Sequence, residues 1–402
     1  MTTTRHRGTW TADDRARTPY RYLPVDVPAD ANGLHVRLSY DRSAGVLDLG
    51  CEAPQAFRGW SGGAREEFVI TRAAATPGYL AGELEAGTWH VVLGLHRIPP
   101  GGLEYEVVAQ VYAGAAATVR PQPERADPPR PHRPPPRELP SADGLVWRAG
   151  DLHSHTVHSD GALTVTELAC LAAERGLDFL AVTDHNTVSH HGELGAAGRH
   201  AGIQLLAGQE VTTGFGHANA FGDISWVDFR QPATAWLDAV ETEGGLLSVN
   251  HPLGGDCSWR HELPRRAPLA EVWHSSWLDY RGWGGPLAWW RAWDHDVVPI
   301  GGSDWHGDPG HGPGSPTTWV ACEGDDVLGG LRAGRVAISA DRDGPLLLRV
   351  GDEMVALGAD GALLTGPDSR RRVVHGNRVT FLAEPGPHWL EDDQTAVLAI
   401  SG

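Results

Sequence analysis

Residues 148–161 read RAGDLHSHTVHSDG, and the first eight suit a short strand that ends on His153 and His155. Thr164 and Glu167 follow with the spacing of a capping box, which predicts a helix ending near Gly176. DFLAVTD (178–184) then reads as a buried strand running into Asp184 and His185, and IQLLAGQEV (203–211) as another carrying Glu210. PATAWLDAVETEGG (232–245) predicts a helix opened by proline, since proline is tolerated at a first helical turn. LLSVNH (246–251), LAEVWH (269–274) and VVPIGGSD (297–304) read as strands, with a helix around 285–295 between the last two. Such alternation over about 190 residues predicts an α/β fold with a parallel sheet, open or closed into a barrel.

In parallel α/β folds the site lies at the carboxyl ends of the strands, so residues distant in sequence converge there. In this chain those ends carry His153, His155, His185, Glu210, His251, Asp304 and His306. Fourteen of the 21 histidines fall between residues 153 and 311. His153 and His155 are two apart on a strand and point to one face, and Asp304 and His306 repeat that spacing. Imidazole and carboxylate together suit zinc, manganese or iron(II). Two such cations close together lower the pKa of a water towards neutrality and take up charge on a phosphoryl or acyl oxygen, which points to hydrolysis.

DLHSHTVHSDG, VTDHN, GQE, NHP and GGSDWH, in that order, resemble the polymerase-and-histidinol-phosphatase (PHP) superfamily over residues 148–340. The WHSSW…GGSDWH spacing, with β-structure in front, is most similar to its carbaryl-hydrolase-like branch. The resemblance implies a distorted (β/α)7 barrel holding two or three divalent metals. It assigns His153, His155, Glu210 and Asp304 to a first ion, Glu210, His217 and His251 to a second, and Asp160, His185 and His306 to a third. Asp160 stands where many relatives have histidine, and the position of His217 in GHANAFG depends on the loop after Glu210.

The activity so implied is hydrolysis of a small phosphomonoester or phosphodiester. A carbamate, ester or amide hydrolase with the same cluster is the alternative. A non-catalytic binding module is a third reading, opposed by the complete ligand set. Asp304 would serve the chemistry as well as the metal. His158 and His274 are candidate leaving-group acids, and Asp184 is a carboxylate standing behind the ligands. Arg260 is the candidate for a substrate anion, from a group that also holds Arg265, Arg266 and Arg281. Trp277, Trp283 and Trp305 are candidates for an aromatic wall, whereas Trp289, Trp290 and Trp293 have the spacing of core.

Lysine is absent, and all 33 basic residues are arginine, which excludes Schiff-base and P-loop lysine chemistry. The net charge of −18 argues against nucleic acid as the partner and leaves a small anionic or aryl-ester substrate. Four scattered cysteines form no CxxC pair, the start lacks a signal-peptide run, and no apolar stretch has membrane length. A cytoplasmic protein follows, of undetermined oligomeric state. Residues 1–118 are expected as a β-sandwich of six to eight strands, 119–144 as a proline-rich spacer or surface strap, 145–340 as the barrel, and 341–402 as short β segments.

Overall fold

The computed structural model describes residues 1–114, 126–142, 144–293, 297–307 and 309–402, with the Asp256 side chain left out. Its contacts divide it into two compact units. One comprises Met1–Ala126 with the segments Val157–Asp160 and Asp184–His190; the other comprises Asp127–Thr156, Gly161–Thr183 and His191–Gly402.

The first unit holds strands β1 (Thr2–Trp10), β2 (Tyr20–Val27), β3 (Ala31–Tyr40), β4 (Val46–Glu52), β5 (Phe57–Gly62), β6 (Glu67–Thr71), β7 (Gly87–Arg97) and β8 (Leu103–Ala113). They form two four-stranded antiparallel sheets, ordered β1-β8-β3-β6 and β2-β7-β4-β5. Alternation decides which faces turn inward. Leu34, Val36 and Leu38 of β3 and Trp89, Val91, Leu93 and Leu95 of β7 are buried in one shared core. A six-residue helix, α1 (Ala12–Arg17), escapes the sequence reading. It buries no residue and so carries no apolar period; its only signal is the capping box of Thr11 and Asp14.

In the second unit the elements run β9 (Val146–Asp151), α2 (Val165–Glu174), β10 (Phe179–Val182), α3 (His191–Ala201), β11 (Gln204–Thr213), β12 (Gly216–Phe221), α4 (Ala233–Thr242), β13 (Leu246–Val249), β14 (Leu269–His274), α5 (Gly285–Trp293), β15 (Val298–Gly302), β16 (Thr317–Cys322), α6 (Val327–Arg332), β17 (Val336–Ser339), β18 (Leu346–Val350), β19 (Glu353–Leu357), β20 (Leu363–Thr365), β21 (Arg371–Val373), β22 (Arg378–Leu382), β23 (His388–Glu391) and β24 (Val397–Ser401). The main sheet is ordered β15-β14-β13-β12-β11-β10-β9-β16-β17-β24-β23-β20-β21, with β18-β19-β22 as a separate three-stranded sheet. The strands β9-β10-β11 and β13-β14-β15 pair in parallel.

An uninterrupted parallel sheet is corrected in two places. Only Gly214 and Phe215 separate β11 from β12, and a two-residue connection can join only antiparallel strands. The segment GHANAFG is therefore the return strand of a hairpin, and the loop after Glu210 on which the placement of His217 depends is its two-residue turn. β16 likewise runs antiparallel to β9. At the β15 end of the order, the Thr318 hydroxyl of β16 accepts from Gly301 N–H at 2.8 Å and donates to Gly301 O at 2.9 Å.

The capping box of Thr164 and Glu167 opens α2, and Pro232 precedes α4. Within the proline-rich stretch, residues 115–125 and Asp143 lie outside the described residues; residues 127–140 run without regular structure along the second unit. Arg133 ties this strap to Gly202 O, Leu177 O and Asp178, and Arg137 ties it to Arg342 O and Gly344 O. Residues 294–296, after α5, are also outside the described residues.

Candidate metal centre

The ends of β9 and β15 are locked together before any ligand is placed. The buried carboxylate of Asp151 accepts the His153 N–H at 3.1 Å, the Ser303 N–H at 3.0 Å and the Gly314 N–H at 2.7 Å. Asp304 N–H donates to His153 O at 2.9 Å, and His155 N–H donates to Trp305 O at 3.1 Å. Backbone contacts thus bring GGSDWH against DLHSH. Asp304 sits at φ +52° and His251 at φ +26°, left-handed conformations that cost a non-glycine residue energy and persist where surroundings impose them.

Glu210, on β11, is the hub. Its carboxylate lies 3.2 Å from His153 Nε2, 3.6 Å from His155 Nε2, 3.1 Å from His217 Nδ1 and 3.3 Å from His251 Nε2. The hairpin delivers His217, since Thr212 pairs with it in the ladder. Asn250 Nδ2 donates to Glu210 at 2.9 Å and sets its orientation. Asp304 provides the second carboxylate, 3.1 Å from His153 Nε2, 2.9 Å from His155 Nε2 and 3.2 Å from His274 Nε2. The His306 ring stacks on that of His155 with centroids 4.1 Å apart, and its Nδ1 meets Asp304 O at 2.8 Å.

Glu271 is the residue that the sequence reading missed. It is fully buried on β14, accepts from His153 Nδ1 at 3.0 Å and from the His251 N–H at 2.7 Å, and so turns His153 Nε2 towards the other two carboxylates. A carboxylate between the apolar residues of LAEVWH was its only signal. Glycine at 302 is required by the same packing: a Cβ there would stand 2.1 Å from Glu271 Oε1 and 2.6 Å from His153 Cβ.

Burial alone would lower the His153 pKa, but the charges of Asp304, Glu210 and Glu271 outweigh it and raise the imidazole well above its ordinary value. Burial opposes ionisation of Asp304, yet His153, His155 and His274 hold it well below the usual carboxylate range. Glu271 is likewise lowered against burial, chiefly by His153. The pocket thus balances buried carboxylates with positive charge.

The donor set fits a divalent cation. The ligand atoms of His153, His155, Glu210 and Asp304 all lie within 4.8 Å of one another. His153 Nε2 is buried and makes no hydrogen bond, although two carboxylate oxygens flank it. A ring nitrogen held without a hydrogen bond between two carboxylates suits the ligand set of a shared cation.

Residues 151–250 match the PHP domain. The chain is 41% identical over 63 residues to a 5'-3' exoribonuclease of Haemophilus influenzae, covering 16% of this chain and 23% of the relative. It is 40% identical over 85 residues to a 3',5'-nucleoside bisphosphate phosphatase of Chromobacterium violaceum, covering 21% of this chain and 30% of the relative. The chain thus spans under a third of the length of these curated relatives. Among solved structures, a two-domain protein from Bacteroides vulgatus, containing a predicted PHP-like metal-dependent phosphoesterase, is similar at 18% identity and a TM-score of 0.41, over 67% of this chain and 91% of that one.

The remaining candidate site residues fall into two groups. Asp160, His185, His158 and Asp184 lie in segments belonging to the first unit. There His185 Nε2 is 3.7 Å from Asp160 Oδ1. Buried Asp184 accepts the Ser159 N–H at 3.0 Å and its hydroxyl at 2.6 Å, and meets His190 Nδ1 at 3.2 Å. His158 is buried, with Nδ1 2.7 Å from Ser189 Oγ.

The substrate residues divide similarly. The Arg260 guanidinium donates to Gly214 O and lies over the Phe215 ring, bracing the hairpin turn. Arg265 pairs with Asp238 and Glu241, and Arg266 lies over Trp293. Trp305 packs against the core beneath α2. Trp277 is buried, donates to Trp283 O at 2.8 Å, and with half-exposed Trp283 lines a cavity of about 40 Å³ beside His251, Glu271 and His274.

Proposed function

We propose that this chain is a metal-dependent phosphoesterase whose two core ions are held by His153, His155, Glu210 and Asp304 and by Glu210, His217 and His251. The single observation that carries the reading is the buried, unbonded Nε2 of His153 between Glu210 and Asp304. Divalent zinc, manganese or iron at these positions supplies Lewis acidity to a phosphoryl oxygen and hydroxide chemistry at neutral pH.

The chain's own residues do the rest. Glu271 keeps the proton of His153 on Nδ1 and leaves Nε2 as donor atom. Asn250 fixes the Glu210 carboxylate. His274, partly exposed and 3.2 Å from Asp304 Oδ2, is placed to hold a proton at Nε2 for a leaving group, a role that the buried contact of His158 with Ser189 does not favour. Asp160 and His185 are proposed to hold a further ion, and His306 is proposed as a ligand beside His155.

The finer assignments belong to the same proposal. The Thr318 bridge between β15 and β16 supports a distorted (β/α)7 barrel, and the shared core of the two N-terminal sheets supports a β-sandwich. Among the described residues no helix is long and apolar enough to cross a membrane. All four cysteines are free, in keeping with the cytoplasmic setting that is part of the same proposal.

One observation favours the second reading, a carbamate, ester or amide hydrolase of the carbaryl-hydrolase-like branch: the tryptophans flanking the cavity beside His251 and His274. The test is a parallel assay of p-nitrophenyl phosphate, its bis-ester, an aryl carbamate and a short oligoribonucleotide with Mn²⁺, Zn²⁺ and Fe²⁺. At least two metal equivalents per chain and phosphoester turnover are expected. Full activity after exhaustive chelation sinks the reading, carbamate turnover alone selects the second, and oligoribonucleotide turnover overturns the exclusion of nucleic acid.

A further inference from the structure

The segments carrying Asp160 and His185 belong to the same compact unit as the eight N-terminal strands, and the sheets grip both of them. Arg65, between β5 and β6, donates from Nη1 to Ser159 O at 2.8 Å and from Nη2 to Val157 O. Those two carbonyls flank His158, immediately before Asp160. Both prongs of one guanidinium are therefore committed to a single turn of chain, an arrangement that the planar fork of arginine allows and a lysine ammonium does not reproduce.

Gly78, between β6 and β7, holds the second segment. Its N–H donates to Ser189 Oγ at 3.0 Å, and its carbonyl accepts from Thr187 Oγ1 at 2.9 Å. A Cβ at Gly78 would stand 2.7 Å from His158 O, at a φ of +98° that side chains rarely adopt. The two segments are also joined to each other, through Ser159 on Asp184 and His158 on Ser189.

We propose that Arg65 is a positioning residue through which the N-terminal sheets fix the 157–160 turn and hold the Asp160 carboxylate beside His185 for cation binding. The inference rests on the metal-site reading above. It gives the N-terminal sheets a part in holding the Asp160–His185 pair, in addition to any recognition role.

The test compares wild type, Arg65→Met, Arg65→Lys, Gly78→Ala and Asp160→Asn in two measurements. Hydrogen exchange by mass spectrometry on chelated protein reads peptides spanning 156–162 and, as an internal check on folding, those of β3 and β7. Equilibrium titration with Mn²⁺ reads the number and affinity of bound ions. In Arg65→Met and Gly78→Ala, exchange over 156–162 is expected to rise about tenfold or more with β3 and β7 unchanged. The Asp160-dependent ion should weaken by about 10–100-fold, the range typical when a residue behind a ligand is removed. Arg65→Lys recovers part of both, and Arg65→Met adds nothing to Asp160→Asn.

Unchanged exchange over 156–162 in both folded variants overturns the clamp. Wild-type affinity for the Asp160-dependent ion in Arg65→Met, or absence of any such ion in wild type, overturns its link to metal binding. Ions held by His153, Glu210 and Asp304 are counted separately in the same titration, so failure of the core reading appears as their loss from wild type and is distinguishable from failure of the clamp.

Discussion

Glu271→Gln isolates the residue that orients the centre without supplying it a named ligand. Glutamine keeps the size of the side chain but replaces one acceptor oxygen by an NH2 group. Glu271 now accepts from two donors, the His153 ring at 3.0 Å and the His251 amide at 2.7 Å, and it is buried beyond the reach of water. A glutamine can satisfy only one of them; the other meets a second donor. Hydrogen bonds to a charged group are worth roughly 1.5–3 kcal/mol. Loss of an outer partner of a metal-ligating histidine weakens metal binding by about 10–100-fold, which is roughly 1.4–2.7 kcal/mol. The two routes agree, so the variant should bind the tightest ion about 10–100-fold more weakly, measured by competition against a chromophoric chelator. Its metal-free form should also be less stable, because the raised pKa of His153 depends partly on the Glu271 charge. A folded variant whose affinity stays within about threefold of wild type would refute this account of Glu271.

Three further outcomes are expected. Asp304→Ala removes the carboxylate shared by His153, His155 and His274 and should reduce hydrolysis by about 10³-fold or more while leaving circular dichroism unchanged; retained turnover at saturating metal contradicts the assignment. Gly302→Ala drives a Cβ to 2.1 Å from Glu271 Oε1 and should cost about 1–3 kcal/mol in denaturant unfolding, with metal affinity falling alongside. Thr164→Ala removes the cap of α2 and should cost about 1 kcal/mol with no change in metal binding, a control that separates general destabilisation from damage to the centre.

Much of the proposed centre was legible because its signals are local. A capping hydroxyl and a carboxylate three residues apart mark α2, and two histidines at strand spacing share one face by the geometry of the strand itself. Apolar runs ending in His, Asp or Glu mark strand ends, and those ends meet because parallel strands share a direction. Local logic left the placement of His217 in GHANAFG dependent on the loop after Glu210. The segment's reversal into β12 depends on the two-residue connection and on pairing with β13, which lies after α4 in the chain.

The amino-acid sequence by itself determined the kinds of chemistry available: no lysine, an excess of carboxylates, and imidazoles gathered at predicted strand ends. Tertiary structure alone decided which of these groups face one another. Glu271 joins His153 across 118 residues of chain, Trp277 enters the core while Trp283 stays half exposed, Arg260 turns to the hairpin, and Arg65 reaches the turn before Asp160. The physical reason is range. Propensity, capping and strand alternation act within a few residues, whereas the direction of a buried lone pair and the balance of buried charge depend on neighbours that only the folded sheet brings within hydrogen-bonding distance.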